Sequence, residues 1–373
     1  MRVLLEDGFS IDKGTGVGRY TENLAVELRR QAGIAVLPGL SSRMITRIRP
    51  ASARRIAYAT WLETGFQRQL AAQSPDVVHF TNYLVPRTRK SKARYAVTIH
   101  DLTAWILPEA LPLMYRKYIR SAIAQAVRSA DLILCPSNAI RKEVIKRFGP
   151  KEERVRTAWN ANSQLPKLSV EAQKQLFSGF RKKLGLQRPF ILFVGTLERR
   201  KNLTTLIEAF GRVAQTTDLQ LVMVGRPGYG FSEIEAAIRC RTRQGQCILT
   251  GYVSDEELSL LYTLADLFAY PTRYEGFGIP LVEAMSFGLP IVASRIPASE
   301  EVAGEAALYY DDPLDAAGLE RKILEALGDS ALRRELGSRG RQRAAKFSWE
   351  HVIDMYLDAY QSSLKSRACD TTA

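Results

Sequence analysis

Residues 267–285 have the sequence LFAYPTRYEGFGIPLVEAM, and this stretch predicts a buried strand, a glycine-rich turn and a helix in succession. Gly276 and Gly278 let the backbone approach a ligand closely. Pro280 suits a first helical turn, because its missing N–H costs nothing there. We therefore expect the N–H groups of residues 277–281 to face an anion, with the helix dipole behind them.

Two carboxylates flank this turn, Glu275 just before it and Glu283 just inside the helix, eight positions apart. Carboxylates accept hydrogen bonds from sugar hydroxyls, and a helix start holds phosphate. The combination favours a nucleotide-sugar as the ligand. The alternative is a capped helix that has a glutamate on each side and no ligand, so the rest of the chain decides between the two.

Short apolar strands alternate with amphipathic helices along both halves of the 373 residues. This alternation predicts the α/β class, with two doubly wound parallel sheets. The predicted domains are residues 1–165, a linker at 166–188 that can hold a short helix, residues 189–346, and a terminal helix at 347–373. The predicted strands are residues 2–5, 34–37, 77–80, 96–99 and 132–134, then 190–194, 219–224, 248–249, 267–270 and 291–293.

The chemical candidates follow predicted strands, where open α/β sheets bind their ligands. These candidates are Gly16, His100 with Asp101, Arg200 with Lys201, and Glu275. Two facing sheets are expected to bring all of them to one cleft. The glycines at 14, 16 and 18 resemble a dinucleotide loop, but the strand at 34–37 runs into Pro38-Gly39 without the acidic residue that NAD binding requires.

The net charge of +14 resides in the first half of the chain, where residues 1–165 contain 27 Lys and Arg against 13 Asp and Glu. Seven arginines and no acid occupy residues 29–55. Such asymmetry indicates an anionic partner of this half: an anionic membrane, a lipid diphosphate or nucleic acid. A solvated basic face is the remaining possibility. We favour the membrane or a lipid diphosphate, because apolar and aromatic residues alternate with arginine from Met44 and Ile45 through Ile48, Ile56 and Tyr58 to Trp61 and Leu62. No nucleic-acid motif accompanies them.

Several motifs together resemble the family 4 retaining glycosyltransferases, of group 1 type. They include the Glu-x7-Glu pair Glu275 and Glu283, the basic pair Arg200 and Lys201, and His100-Asp101 at a strand end. The runs that carry the resemblance are GTLERRKNL at 195–203, GYVSDEEL at 251–258, PTRYEGFG at 271–278 and GTGVGR at 14–19.

The resemblance implies a GT-B fold, in which two Rossmann-like domains face a central cleft and a terminal helix crosses back to the first domain. It implies that Glu283 holds the ribose hydroxyls, that Glu275 contacts the donor sugar, and that His100 lies near that sugar. Arg200 and Lys201 take the diphosphate, and backbone near Val253 reads the base. The remaining donor-binding positions are Gly16, Gly276, Phe277, Gly278 and Ile279.

The expected reaction moves a hexose from a nucleotide-sugar, GDP-mannose first, to a hydroxyl of a lipid-linked or membrane-associated glycan. No cofactor and no metal are expected, because Arg200, Lys201 and the helix start supply positive charge and no strand ends in Asp-x-Asp. dTDP-rhamnose or a UDP-hexose is the alternative donor. A nucleic-acid-binding protein without turnover and a silent sugar-nucleotide sensor are the alternative classes.

The expected location is the cytoplasmic face of the inner membrane. No run of about 18 apolar residues suggests a transmembrane helix. The four cysteines lack metal or redox spacing, which favours reduced thiols.

Overall fold

The computed structural model describes residues 1–6, 16–37, 48, 51–187 and 189–370. The chain forms two compact units. The first comprises Met1–Leu102, Leu113–Ala161 and Trp349–Ala373, and the second comprises Thr103–Pro112 and Asn162–Ser348. The segment Thr103–Pro112 thus groups with the second unit, whereas the sequence places it within the first domain. Arg199 and Arg273 hold this segment through hydrogen bonds to Glu109.

The first unit is a parallel sheet of six strands in the order β2-β1-β3-β4-β5-β6. The strands with the sequences VVHF and LILC are buried at every residue, as expected for a sheet that is covered on both faces. Its strands are β1 (Arg2–Glu6), β2 (Ala35–Leu37), β3 (Val77–Phe80), β4 (Arg94–Thr98), β5 (Leu132–Cys135) and β6 (Val155–Thr157). Helices α1 (Gly16–Arg30), α2 (Ala51–Glu63) and α3 (Gly65–Gln73) lie between the earlier strands.

The second unit repeats this architecture with the order β12-β11-β10-β7-β8-β9. Its strands are β7 (Phe190–Val194), β8 (Gln220–Val224), β9 (Cys247–Gly251), β10 (Leu267–Tyr270), β11 (Ile291–Ser294) and β12 (Ala307–Tyr310). The first unit also contains α5 (Leu113–Ser129), α6 (Asn138–Phe148) and the terminal α15 (Trp349–Asp370). The helices of the second unit are α4 (Thr103–Ile106), α7 (Val170–Leu184), α8 (Leu203–Val213), α9 (Phe231–Arg241), α10 (Asp255–Leu264), α11 (Ile279–Phe287), α12 (Pro297–Ala303), α13 (Ala316–Gly328) and α14 (Ser330–Ala344).

The predicted α/β class and the two doubly wound sheets are confirmed. The last helix, α15, packs into the core of the first unit through Trp349, Val352, Tyr356 and Tyr360. Tyr360 also places its hydroxyl 2.7 Å from Nδ1 of the buried His79. The predicted return of a terminal helix to the first domain is therefore confirmed.

Part of the segment predicted to contact a membrane is buried in the protein. Met44 and Ile45 lie outside the described residues, and Ile56 is 70% exposed. Tyr58 and Leu62, in contrast, are buried. They are buried because α2 packs against α3, where the Trp61 ring contacts Phe66 at a centroid distance of 5.5 Å. Their assignment to an interfacial face is therefore wrong. Within the described part of the chain, no helix is long and apolar enough to cross a bilayer.

Candidate active site

Glu275 lies between two cations in the second unit. Its side chain is almost fully buried, and each carboxylate oxygen has its own partners. Oε2 accepts a hydrogen bond from Arg200 Nη1 at 2.7 Å. Oε1 accepts one from the Lys201 ammonium and another from the Thr272 hydroxyl at 3.1 Å. The predicted carboxylate and the predicted basic pair, which are about 75 residues apart in sequence, therefore form one cluster.

The loops that follow β7 and β10 position this cluster. The two cations stand in the 3₁₀ turn Arg199–Lys201, and Asn202 with a φ of 57° leads from this turn into α8. The Asn202 side chain donates to the Pro271 carbonyl oxygen at 3.0 Å. The Arg273 N–H donates to the Arg200 carbonyl oxygen at 3.1 Å. Because backbone and side-chain bonds tie the loops together, the cations are held in place beside Glu275.

The charges of this cluster are balanced. Burial acts to raise the pKa of Glu275, but the charges of Arg200 and Lys201 outweigh it and lower this pKa to about 2. Glu275 is therefore ionised at neutral pH. Burial lowers the pKa of Lys201, and the Glu275 charge opposes that effect. Arg200 Nη2 also lies 2.8 Å from the Glu198 carboxylate. A bound diphosphate would compete with these two carboxylates for the cations.

The glycine-rich turn leads directly into α11. Gly278 has a φ of 105°, and a Cβ at this position would lie 3.1 Å from the Tyr270 hydroxyl oxygen, so glycine suits both the backbone and the space. The Leu281 N–H donates to the Gly278 carbonyl oxygen at 2.9 Å. The prediction that Leu281 faces an anion is therefore wrong, because its N–H is used within the helix. The candidate anion donors are the N–H groups of Phe277, Gly278 and Ile279, after the turn residue Gly276.

Glu283 lies in the middle of α11 and is 4% exposed. Its Oε2 accepts a hydrogen bond from the Tyr262 hydroxyl at 2.8 Å. The Tyr262 ring stacks on Phe287, with a centroid distance of 5.4 Å and an interplanar angle of 19°. The neighbouring helix α10 thus fixes one carboxylate oxygen of Glu283. Val253, near which the backbone is predicted to read the base, is buried in the loop between β9 and α10.

The first unit contains the other two predicted positions. His100 Nε2 donates to the Thr81 carbonyl oxygen at 2.8 Å, and the Tyr20 ring meets the imidazole edge-on at 5.1 Å. Burial lowers the pKa of His100. The imidazole is therefore neutral at pH 7, with Nδ1 as its acceptor nitrogen. Gly16 is the first residue of α1, and Gly14 lies outside the described residues.

Carboxylates, imidazoles and thiols do not gather into a metal-binding group of three or more anywhere in the described ranges.

Two family models match the chain. The one described as Glycosyl transferases group 1 covers residues 178–343, and the one described as Glycosyltransferase Family 4 covers residues 14–161. The O-antigen chain mannosyltransferase B of Escherichia coli is 32% identical over 289 residues, which span 76% of this chain and 74% of that protein.

The chain belongs to the group 1 glycosyltransferases.

Solved structures agree with the GT-B fold of this glycosyltransferase. Sucrose-phosphate synthase from Thermosynechococcus elongatus superposes with a TM-score of 0.77 at 22% identity, covering 98% of this chain and 99% of that one. Anabaena HepE, in complex with UDP and glucose, gives a TM-score of 0.72 at 18% identity and covers 97% and 99% of the two chains. At these identities the likeness concerns the fold.

Sequence reasoning missed several residues of the glycosyltransferase that shape the site. Tyr270 is the last residue of β10, and its ring centroid lies 5.9 Å from Lys201 Nζ. Its position at the carboxyl end of a strand is the signal that could have identified it. The Arg226 guanidinium lies 4.8 Å from the Tyr252 ring centroid, in the loops after β8 and β9. Gly225, with a φ of 148°, approaches the Gly195 carbonyl oxygen so closely that a Cβ would lie 1.9 Å from it.

Proposed function

We propose that this glycosyltransferase moves mannose from GDP-mannose to a hydroxyl of a lipid-linked or membrane-associated glycan, with retention of configuration and without a metal ion. The observation that carries the proposal is the buried Glu275, bonded to Arg200 and Lys201 just before the start of α11. Mannose is supported by the similarity to the O-antigen chain mannosyltransferase B.

The chemistry follows from the charges of this cluster. As the bond between sugar and diphosphate breaks, negative charge grows on the phosphate oxygens. Arg200, Lys201 and the N–H groups before α11 are fixed positive groups that can stabilise this charge. This arrangement supports transfer without a metal. Glu275, ionised at neutral pH, accepts hydrogen bonds from the sugar hydroxyls and favours positive charge at the anomeric carbon.

We assign the ribose hydroxyls of the donor to a second carboxylate, that of Glu283. One of its oxygens is occupied by Tyr262, so the carboxylate is held in a fixed orientation. A carboxylate accepts two hydrogen bonds from neighbouring hydroxyl groups well, which matches the vicinal hydroxyls of a ribose. His100, a neutral imidazole in the first unit, is proposed to contact the donor sugar.

A UDP-hexose is the second candidate donor. Anabaena HepE, which shares the fold, was solved with UDP and glucose. The exposed pair Arg226 and Tyr252 offers a planar surface in the loops near Val253, and either base can stack on such a surface.

A nucleotide panel separates these donors. At a ligand concentration of 100 times Kd, a bound nucleotide stabilises the folded chain by about 2.7 kcal/mol. We expect the melting temperature to rise with GDP and GDP-mannose, and EDTA to leave the rise unchanged. A preference for UDP or dTDP would keep the reaction and change the sugar. The absence of any nucleotide response, together with salt-dependent binding of DNA, would contradict the proposal.

We also propose that the first unit contacts an anionic membrane through the start of α5. Leu113 is 53% and Met114 is 76% exposed there. Arg116, Lys117 and Arg120 follow within two turns. Exposed apolar side chains beside basic residues suit the boundary between headgroups and acyl chains.

This contact is tested by flotation with phosphatidylglycerol vesicles. Replacing Met114 by aspartate removes an apolar contact and adds a negative charge, so we expect the bound fraction to fall severalfold. The control is Val26→Asp, which adds the same charge at an exposed position on α1 and is expected to float as wild type does. Equal flotation of all three proteins would exclude α5 as the contact.

A further inference from the structure

A second concave site lies in the second unit, away from the donor cluster. Its cavity has a volume of about 800 Å³, within the range of small-molecule sites. It is lined in part by Asp266 and Pro290, which immediately precede strands β10 and β11. The cavity therefore lies at the amino ends of the strands, whereas Glu275 follows the carboxyl end of β10.

Three arginines of α14 line this cavity: Arg333, Arg334 and Arg341. We call it the arginine pocket. Arg333 donates to the Ala326 carbonyl oxygen at 2.9 Å, and Arg334 Nε donates to the Ser330 carbonyl oxygen at 3.3 Å. Both bonds are made to neutral carbonyls, so the charge of each guanidinium is not cancelled by them.

Arg341 is placed by the end of α11. Its Nη2 donates to the Phe287 carbonyl oxygen at 3.3 Å. Gly288 has a φ of 71°, and a Cβ there would lie 2.2 Å from the Arg341 Cζ, so glycine leaves room for the guanidinium. Gly337 on α14 similarly lets the two helices approach, since a Cβ there would lie 2.4 Å from the Gly288 carbonyl oxygen.

Two other charged side chains near the pocket, Arg339 and Asp266, already have bonding partners within the protein. Arg339, on the same helix but outside the lining, forms an ion pair with Glu335. Among the described residues that line the pocket, the one acid is Asp266, which accepts a hydrogen bond from the Phe190 N–H at 3.0 Å. Across the described residues of this unit, no ion pair to a carboxylate is formed by Arg333, Arg334 or Arg341. The pocket therefore concentrates positive charge in a concave surface.

We propose that the arginine pocket binds the phosphate group of a small anionic ligand, at a site separate from the donor cluster. Guanidinium groups bind phosphate through paired charge-assisted hydrogen bonds, and three of them can surround one phosphate group. The phosphate can belong to a soluble phosphorylated compound or to the headgroup of an anionic lipid. The recognition chemistry is the same for both sources.

The test is a calorimetric titration of the full chain with pyrophosphate. The variant is the double substitution Arg334→Gln/Arg341→Gln, in which shorter, uncharged side chains replace the two arginines. Both positions are exposed, so the fold is expected to persist. We expect the pocket's affinity for pyrophosphate to fall at least tenfold. The control is Arg339→Gln, which removes one charge from the same helix outside the pocket and is expected to bind as wild type does. Pyrophosphate that binds outside the pocket binds wild type and variants equally, so the difference between their titrations reports on the arginine pocket alone.

The same proteins are then floated with vesicles of phosphatidylglycerol and of phosphatidylcholine. A loss of flotation on phosphatidylglycerol in the double variant alone assigns the phosphate to a lipid headgroup. Equal flotation with weakened pyrophosphate binding assigns it to a soluble compound. If the double variant matches wild type in the number and affinity of pyrophosphate sites and in flotation, the proposal is overturned. A thermal shift with a nucleoside diphosphate confirms that each variant retains its donor site and fold.

Discussion

Replacing Glu275 by glutamine is expected to reduce the rate of sugar transfer by about a hundredfold or more, comparable to the loss of one preorganised charge-stabilising group. The amide keeps the size of the side chain but removes the negative charge that faces Arg200 and Lys201. It also cannot favour positive charge at the anomeric carbon. The measurement is the initial rate of transfer at saturating donor, compared between variant and wild type.

The same substitution has a second signature in stability. The Glu275 pKa of about 2, against an ordinary value of 4.5, corresponds to about 3 kcal/mol of stabilisation. Because the folded-state pKa is lowered, this stabilisation is complete above pH 4.5 and is lost as the pH falls towards 2. Between pH 5 and pH 3 the loss is about 2 kcal/mol. Urea unfolding should show this component in wild type and not in Glu275→Gln.

The control for both effects is Glu208→Gln. Glu208 forms an exposed ion pair with Arg212 on α8, and exposed pairs of this kind contribute about 0–1 kcal/mol. Its loss should leave the transfer rate unchanged. Wild-type turnover in Glu275→Gln, with a folded protein, would remove this carboxylate from the chemistry.

Replacing Glu283 by glutamine is expected to weaken binding of the donor nucleotide by about tenfold or more, because hydrogen bonds to charged groups contribute about 1.5–3 kcal/mol. The amide presents one acceptor oxygen where the carboxylate presents two, and Tyr262 already occupies one of them. The measurement is the Kd of the nucleoside diphosphate by calorimetry, together with the KM for the nucleotide-sugar.

Tyr262→Phe is the matched comparison for Glu283. It removes only the hydroxyl that orients the carboxylate and keeps the ring stacked on Phe287. We expect a smaller loss of affinity, about threefold to tenfold, for one hydrogen bond of about 1 kcal/mol. If Glu283→Gln binds the nucleotide as wild type does, Glu283 is a buried structural carboxylate and the ribose is held elsewhere.

Secondary structure that depends on residues close together in sequence could be predicted well. The strand, turn and helix at 267–285 follow from a local pattern of apolar, glycine and proline residues, and the structure has β10 and α11 there. The bond between Glu275 and Arg200 joins positions far apart in sequence, so it depends on how two loops at one sheet edge pack together. The sequence indicated Glu275 and Arg200 separately, with Glu275 expected at the donor sugar and Arg200 at the diphosphate, and did not predict their contact.

Each feature that the sequence did not predict correctly was missed for a physical reason. Strands β6 and β12 were not predicted, because each is an edge strand of three or four residues that is only partly buried and so lacks a long apolar run. Tyr58 and Leu62 were assigned to a membrane face because the same amphipathic pattern serves for packing against a neighbouring helix. The arginine pocket has no local signature, since its lining comes from α14 and the segments before β10 and β11.

The decisive measurement for the proposed activity is mannose transfer from radiolabelled GDP-mannose to a lipid-linked glycan acceptor, in the presence of EDTA, with wild type and Glu275→Gln assayed side by side. We expect a labelled lipid-linked product from wild type, shown by NMR to retain the anomeric configuration of the donor, and almost none from the variant. The proposed activity would be contradicted if no product formed from GDP-mannose, a UDP-hexose or dTDP-rhamnose, or if the product showed inverted configuration.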